Sequence, residues 1–215
     1  NALMWLETQQ DDSLGHIVTG IPDMNDVNMT PEKYTEWVRR LVNLLAKKCN
    51  RRSYIMLCQT DRRINKVWID KTSIIVPAAQ EAGIHLRWHK IVVKKIGIDV
   101  IKPTYSHMLC FSALSGPGKG FPDVIYGGKS LYVHGTPVHA VKLMVDFAKR
   151  YGPADINVVV DPFVGRGTTL VIAKMAGFEV IGVDISPIQC EHAEKLNASK
   201  VQNMLLQNSA NLITK

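Results

Sequence analysis

Two aspartates, Asp161 and Asp184, bracket the stretch of this sequence that is best suited to bind a ligand. The stretch begins as DPFVGRGTT at residues 161–169, and it contains Gly165 and Gly167. Glycines let a backbone approach a ligand closely, and the N-terminus of a following helix presents free N–H groups and a partial positive charge. An acidic residue roughly 20 positions after such glycines can accept two hydrogen bonds from a ribose diol. The spacing therefore indicates a site for a nucleoside-containing cofactor.

The residues around these aspartates predict a strand, a helix and a second strand. Residues 156–160 predict a strand, a helix begins near Thr168 and ends at Gly177, and residues 178–183 predict the second strand. Each aspartate therefore follows a strand directly. In the alternative interpretation, the two carboxylates only cap a helix or a turn.

The rest of the chain alternates between predicted strands and helices. Thr30-Pro31 and Thr136-Pro137 each predict a helix start. Further strands are predicted at 53–58, 84–93 and 105–113, with a helix before the second one that contains an internal proline. The last two strands are joined without an obvious helix, so we expect an antiparallel pair at a sheet edge. Residues 114–133, with five glycines and two prolines, predict an irregular loop.

The basic residues of the chain concentrate in one part of it. The net charge is +7, but residues 39–102 alone hold fifteen Lys or Arg and only four Asp or Glu. Such a local excess favours contact with a polyanion, although solvated helix faces would also account for it. The residues that we expect to contact nucleic acid are Arg51, Arg52, Arg62, Arg63, Lys94 and Lys95.

Composition and spacing argue against several other classes of protein. No apolar run is long enough to span a membrane, and the first residues lack a signal-peptide pattern. Four scattered cysteines favour an intracellular, reducing compartment. His85 and His89 have the spacing of metal ligands only on a helix, and the alternation around them predicts a strand, so no metal site is expected.

Several blocks of the sequence resemble one enzyme family. DPFVGRGTT is similar to the DPF-x-G-x-GTT signature of S-adenosylmethionine-dependent amino-methyltransferases, especially the circularly permuted β group of DNA methyltransferases. NALMWLETQQDDSLGHIVTGIPDM resembles that group's opening, GDALEWL…DSVDLIVTSPPY. LRWHK resembles its iiWhK strand, YSHMLCFSA the strand after it, and HGTPVHAVKLMVDFAKRY the helix that begins HPTQKP. The blocks follow one another in the permuted order along nearly the whole chain.

The resemblance implies an α/β fold of the Rossmann-like class I methyltransferase type, circularly permuted, with a mostly parallel sheet and an antiparallel edge strand pair. We expect a single domain over 1–215. Its parts would be a catalytic and substrate-binding half at 1–113, the irregular loop at 114–133 and a cofactor-binding half at 134–215.

The resemblance also implies S-adenosyl-L-methionine as the cofactor and assigns positions to it. Asp184 would hold the ribose hydroxyls, and Ile185 would cover the adenine. His134 and Thr136 match the start of the preceding helix, whose QK is absent here. Asn1 falls where the family has an aspartate near the adenine amino group. The positions implied around the methionine and adenosyl parts are Asp161, Phe163, Gly165, Gly167 and Thr168.

The family's catalytic loop is altered in this sequence. The family has Asp, Asn or Ser, then Pro-Pro, then an aromatic residue that stacks on an extruded base. The matching residues here are Gly20, Ile21, Pro22 and Asp23. Gly20 has no side-chain acceptor and Asp23 cannot stack, so Pro22 and Asp23 are the remaining catalytic candidates. Asp23 would accept a proton or a hydrogen bond from a different nucleophile, or the loop is a turn that has lost catalysis.

The expected function is methyl transfer to nucleic acid, with RNA slightly ahead of DNA. The family's sizeable DNA-recognition insert is missing, and a compact basic enzyme suits structured RNA, or nucleic acid presented by a protein partner. A non-catalytic or partner-dependent methyltransferase-like subunit is the alternative that Gly20 and Ile21 favour. A protein methyltransferase is a further alternative, which Asp23 keeps open.

Overall fold

The computed structural model describes residues 1–64, 67–97, 103–114 and 122–213. The helices in these ranges are α1 (Ala2–Thr8), α2 (Pro31–Lys48), α3 (Thr72–Glu81), α4 (Val138–Tyr151), α5 (Thr168–Met175), α6 (Pro187–Lys195) and α7 (Ala198–Ile213). The strands are β1 (His16–Thr19), β2 (Ile55–Gln59), β3 (Arg62–Ile64), β4 (Val67–Ile69), β5 (His85–Val93), β6 (Tyr105–Ser112), β7 (Val124–Tyr126), β8 (Val158–Asp161) and β9 (Glu179–Gly182).

A seven-stranded sheet in the order β7-β5-β6-β2-β1-β8-β9 forms the centre of the molecule. The pairs β1–β2, β1–β8, β8–β9 and β5–β7 are parallel, whereas β6 is antiparallel to both β2 and β5. The predicted α/β class and the mostly parallel sheet are therefore confirmed.

Helices cover both faces of this sheet, which explains why β1 and β2 are buried along their whole length. Alternate residues of a strand point to opposite faces. Ile17 of β1 accordingly joins one apolar cluster with α2 and α3, and Val18 joins the other with α4 and α5.

The two predicted helix starts are confirmed. Thr30 caps α2, its side chain accepting a hydrogen bond from the backbone N–H of Lys33, and Pro31 occupies the first turn. Pro137 directly precedes α4. α2 buries Tyr34, Val38, Leu41 and Leu45, whereas α4 buries Val141, Met144, Val145 and Ala148.

Two sequence predictions about the sheet were incomplete. β5 and β6 are antiparallel as expected, but β7 pairs with the outer side of β5 and is the edge strand of the described sheet. Residues 114–133 are thus not a continuous loop, although 115–121 lie outside the described residues. β3 and β4 form an unpredicted two-stranded sheet. The unpredicted strands β3, β4 and β7 have three residues each, which is too short for an alternation of apolar and polar residues to be visible in the sequence.

The sheet brings the ends of distant segments to one edge. The carboxyl ends of β1, β2, β5, β8 and β9 point the same way because these strands are mutually parallel or related through antiparallel β6. From β1 the chain continues toward β2, whereas β8 continues toward β9 on the other side. A crevice opens at such a switch of direction in an open α/β sheet.

None of the described helices combines the length and the apolar character that crossing a membrane requires.

His16 is a buried, uncharged part of the core at the start of β1. Its Nδ1 accepts a hydrogen bond of 3.2 Å from the backbone N–H of Tyr54, and the two rings stack with centroids 5.8 Å apart. The imidazole fills the space beside Gly152, where an added Cβ would lie 2.5 Å from Nε2. Burial lowers the pKa of His16 from 6.5 to about 4.

We expect acid to destabilise the protein through His16. His16 becomes protonated below pH 6.5 in the unfolded chain but only near pH 4 in the folded chain. Protonation therefore favours the unfolded state, and the free energy of unfolding decreases as the pH falls from 6.5 to about 4. His16→Asn keeps an acceptor for Tyr54 but does not titrate. Between pH 7 and pH 5, urea unfolding should show the unmodified protein losing about 2 kcal/mol more than the variant. Equal losses would contradict a buried neutral His16.

Candidate functional site

A cleft of about 1160 Å³ opens at the carboxyl edge of the sheet. Small-molecule sites typically occupy roughly 300–1,000 Å³, so this cleft has room for a cofactor and part of an acceptor. One wall comes from the ends of β8 and β9, and the other from the loops that follow β1 and β2. The predicted cofactor half and the predicted substrate half therefore face each other.

Asp161 joins the two walls at the floor of the cleft. Thr19 Oγ1, at the end of β1, donates a buried hydrogen bond of 2.6 Å to Asp161 Oδ1. The backbone N–H of Phe163 donates to the same oxygen at 3.1 Å. Burial raises the pKa of Asp161 to about 6, against the opposing effect of the hydrogen bonds from Thr19 and Thr169. The carboxylate thus fixes the start of the glycine loop to the neighbouring strand.

Asp184 holds the glycine loop from the other side. Its Oδ2 accepts a hydrogen bond of 3.0 Å from the N–H of Gly165, and its Oδ1 accepts one of 2.9 Å from Ser186. Gly165 and Gly167 have φ values of 49° and 84°, a region that side chains rarely adopt. A carboxylate has about four lone-pair positions, so Asp184 keeps acceptor capacity for a diol. This donor and acceptor set fits the ribose of an adenosyl cofactor.

Aromatic residues that the sequence analysis did not identify cover the loop. The hydroxyl of Tyr132 accepts a hydrogen bond of 3.2 Å from the N–H of Arg166, and it would lie 2.8 Å from a Cβ at Gly165. Trp37 of α2 lies against Phe163, with ring centroids 5.9 Å apart. Tyr132 occurs in a glycine-rich stretch and Trp37 on an apolar helix face, so neither position carried a local signal.

Nine of the ten predicted cofactor-binding residues line the cleft. Asn1, His134, Thr136 and Ile185 all line the cleft, as do Asp161, Phe163, Gly165, Thr168 and Asp184. Ile185 is 77% exposed, which leaves its side chain available to cover a planar group. Gly167 does not line the cleft. It lies against α6, where an added Cβ would be 2.8 Å from Ala193.

The Gly20–Asp23 loop forms the opposite wall, and side chains of α2 and β2 hold its backbone. Tyr34 donates a hydrogen bond of 2.8 Å to the carbonyl oxygen of Pro22, and Ile21 N–H donates to Gln59 Oε1 at 3.4 Å. Pro22 therefore presents a carbonyl that already has a partner. Burial is the main cause that raises the pKa of Tyr34, which keeps its hydroxyl a donor.

Asp23 is the counter-ion of two cations. Its Oδ1 pairs with the ammonium of Lys71, whose side chain is only 2% exposed, and its Oδ2 lies 3.1 Å from Arg62 Nε. The backbone N–H of Asp23 also donates to Asp26. Asp23 lines the cleft as predicted. Because a buried ammonium requires a partner, its carboxylate has a structural role in addition to any role in catalysis.

The structure divides the predicted basic surface between opposite edges of the sheet. Arg62, Arg63 and Lys94 line the cleft, and exposed Lys95 follows Lys94. Arg51 and Arg52 precede β2, so five residues of strand, about 17 Å, separate them from the cleft edge. Arg52 there makes a bidentate ion pair with Asp155, at 2.8 Å for each bond.

Asp61, Asp70 and His107 are one group of possible metal ligands among the described residues, with ligand atoms within 4.8 Å of one another. Sequence spacing did not bring this group together. Asp61 lies 2.9 Å from His107 Nε2 and accepts from Lys71 N–H, whereas Asp70 accepts from Thr72 N–H at the start of α3. These bonds give each carboxylate a structural role. His89 lies on strand β5 as expected, with its ring nitrogen 2.8 Å from His107.

We expect Asp23→Ala to destabilise the protein, because it leaves the buried Lys71 ammonium without its anion. The loss should be about 3 kcal/mol in the free energy of unfolding, measured with urea. The double variant Asp23→Ala/Lys71→Met removes the charge as well and should recover much of that stability. Asp146→Ala breaks the exposed Asp146–Lys142 pair and should cost less than ~1 kcal/mol. A double variant no more stable than Asp23→Ala would contradict this role.

Comparison with known proteins connects this site to a family. The family described as DNA methylase matches residues 137–195, which include α4, the glycine loop and Asp184. Type II methyltransferase M.MjaII of Methanocaldococcus jannaschii is 34% identical over 85 residues, which are 36% of this chain. The alignment spans only 16% of that relative's own length.

Solved structures share the fold along nearly the whole chain. TTHA0409 from Thermus thermophilus, solved in complex with S-adenosyl-L-methionine, superposes with a TM-score of 0.72 at 17% identity, covering 93% of each chain. PvuII DNA methyltransferase, described as cytosine-N4-specific, has a TM-score of 0.71 at 13% identity, covering 95% of this chain and 88% of its own. Residues 137–195 of this chain thus match the DNA methylase family, and the chain as a whole shares the class I methyltransferase fold of these solved structures.

Proposed function

We propose that this protein transfers the methyl group of S-adenosyl-L-methionine to nucleic acid, with DNA as the first substrate to test. The observation that carries the proposal is the two-walled cleft. Asp161, Asp184 and the glycine loop form one wall, and the Gly20–Asp23 loop forms the other. An electrophile bound on one side and a nucleophile on the other would meet at the switch point of the sheet.

The chain's own residues supply binding and orientation. S-adenosylmethionine, when bound, supplies an activated methyl group on its sulfonium. Asp184 would accept from the ribose hydroxyls, while Tyr132 and the Trp37–Phe163 pair, which lie against the loop, would exclude water from it. Thr19 and Asp161 keep the two walls in register. Placing an acceptor in line with a reactive cofactor is the contribution that a protein makes in such transfers.

The altered loop changes how the acceptor is held. Gly20 offers no side-chain acceptor, the Pro22 carbonyl already accepts from Tyr34, and Asp23 is paired with Lys71 and Arg62. Because the loop has well-defined partners, it is preserved as a structured wall of the cleft. This supports a working enzyme with modified acceptor recognition over a subunit that has lost its site.

DNA is favoured because the matching family and the named relatives are DNA methylases or methyltransferases. Preference for RNA remains a prediction from the basic charge and the missing insert. A protein partner that presents the nucleic acid also remains a prediction, as does an intracellular compartment.

The direct test is transfer of labelled methyl from S-adenosylmethionine to unmethylated DNA, total RNA and total protein. We expect label in DNA that nuclease digestion releases as methylated nucleoside. Label only in RNA would change the substrate, and label only in protein would contradict the proposal. Absence of label despite cofactor binding would favour a partner-dependent subunit.

Asp184→Ala should abolish cofactor binding, because it removes the acceptor that we assign to the ribose hydroxyls. Isothermal titration with S-adenosylhomocysteine should show affinity reduced by at least about a hundredfold, near the 2.7 kcal/mol expected for lost hydrogen bonds to a charged group. Asp146→Ala, which removes an exposed carboxylate of α4, is the matched control and should bind normally. Unchanged affinity of Asp184→Ala would contradict the assignment.

Charge reversal tests which edge of the sheet contacts DNA. Arg63→Glu/Lys94→Glu alters the cleft rim, and Arg51→Glu/Arg52→Glu makes the same change in charge at the opposite edge. Each phosphate contact contributes roughly 0.9 to the slope of log affinity against log salt concentration. The rim variant should therefore lose affinity and about one to two units of slope, whereas the control variant should lose neither. If both variants lost the same DNA affinity and slope, the total charge of the protein, and not the position of these residues, would govern DNA binding.

A further inference from the structure

Gln59 carries an unsatisfied amide nitrogen beside the altered loop. Its side chain is 3% exposed, it is the last residue of β2, and it lines the cleft. Nε2 has no hydrogen-bond partner within the described part of the chain. A buried donor without a partner costs free energy, and such groups in native proteins commonly have a functional reason.

The hydrogen bond from Ile21 fixes which atom of the amide is free. The backbone N–H of Ile21 is a donor, so the atom 3.4 Å from it must be the amide oxygen. The free atom is therefore the NH₂ group, which donates and does not accept. Ile21 is the second residue of the Gly20–Asp23 loop. Through this bond, the side chain of Gln59 belongs to the wall of the cleft that this loop forms, which we call the acceptor wall.

Gln59 lies beside Ile21, the residue that follows Gly20 in the altered loop. In the parallel β1–β2 register Thr19 lies opposite Leu57, so the residues that follow place Gly20 and Ile21 beside Cys58 and Gln59. An added Cβ at Gly20 would lie 3.2 Å from the carbonyl oxygen of Cys58. The end of β2 thus supplies a polar side chain beside Ile21, one residue after the position that lacks a side-chain acceptor.

We propose that Gln59 binds the acceptor base, by donating a hydrogen bond from its amide nitrogen to the ring nitrogen next to the exocyclic amine of that base. The inference rests on the proposed function, since it names the group that holds the methyl acceptor. Adenine and cytosine both present such acceptor atoms next to their exocyclic amines. Gln59 would therefore bind the atom next to the exocyclic amine. In the family motif, by contrast, a side-chain oxygen accepts a hydrogen bond from the amine itself.

Two substitutions separate the donor from the shape of Gln59. Gln59→Glu keeps the length and still accepts from Ile21, but its carboxylate cannot donate. Gln59→Met keeps a similar volume without a polar group. Gln80→Met on the exposed face of α3 is the matched control. Methyl transfer to unmethylated plasmid DNA gives kcat/KM, and titration with S-adenosylhomocysteine gives cofactor affinity.

We expect both Gln59 variants to lose about ten- to a hundredfold in kcat/KM, while cofactor affinity stays within about twofold, as loss of one good base contact implies. Gln80→Met should retain full activity. If the unmodified protein methylates DNA and both Gln59 variants match it, the inference is wrong and the proposed function stands.

A binding measurement keeps the inference testable if the proposed function fails. Saturation-transfer NMR with dAMP and dCMP, on protein saturated with S-adenosylhomocysteine, reports base binding without methyl transfer. Binding that both Gln59 variants lose would support the inference even for a protein that transfers no methyl group. No binding by the unmodified protein, or equal binding by the variants, would overturn it.

Discussion

The hydrogen bond from Thr19 to Asp161 is the contact on which the whole site depends. It is 2.6 Å long and buried, and it joins the carboxyl ends of the two adjacent strands between which the chain changes direction. On one side of this bond the glycine loop leads to Asp184, and on the other side the chain enters the Gly20–Asp23 loop. Burial raises the pKa of Asp161 to about 6, so the carboxylate is mostly ionised at neutral pH and accepts from both Thr19 and the backbone.

The two walls of the cleft differ in what holds them. Backbone geometry and carboxylates shape the cofactor wall, whereas long-range side-chain contacts shape the acceptor wall. Asp23 neutralises Lys71 and Arg62, Tyr34 holds Pro22, and the Gln59 amide holds Ile21. A loop with this many partners retains its shape without the aromatic residue and the first of the two prolines of related enzymes. The departure from the family motif is therefore accompanied by a different set of supports.

Local patterns allowed much of the fold, and the placement of the glycine loop between Asp161 and Asp184, to be predicted from sequence. The strand-helix-strand unit around Asp161 and Asp184 and the helix starts at Thr30 and Pro137 are confirmed, because each depends on residues close together in the chain. The pairing of Asp23 with Lys71 spans 48 positions and shows no periodic signal. In the sequence, the basic residues before and after β2 form one cluster. The direction of β2 places Arg62 and Arg63 at the cleft rim and Arg51 and Arg52 at the opposite edge of the sheet.

A crystal structure with S-adenosylhomocysteine bound would test the central claim most directly. The account predicts the ribose hydroxyls within hydrogen-bond distance of Asp184, the adenine against Ile185 and the sulfur facing the Gly20–Asp23 loop beside Gln59. Binding with the adenosyl group against Arg62 and Lys71, or outside the cleft between β1 and β8, would contradict the division of the site into a cofactor wall and an acceptor wall.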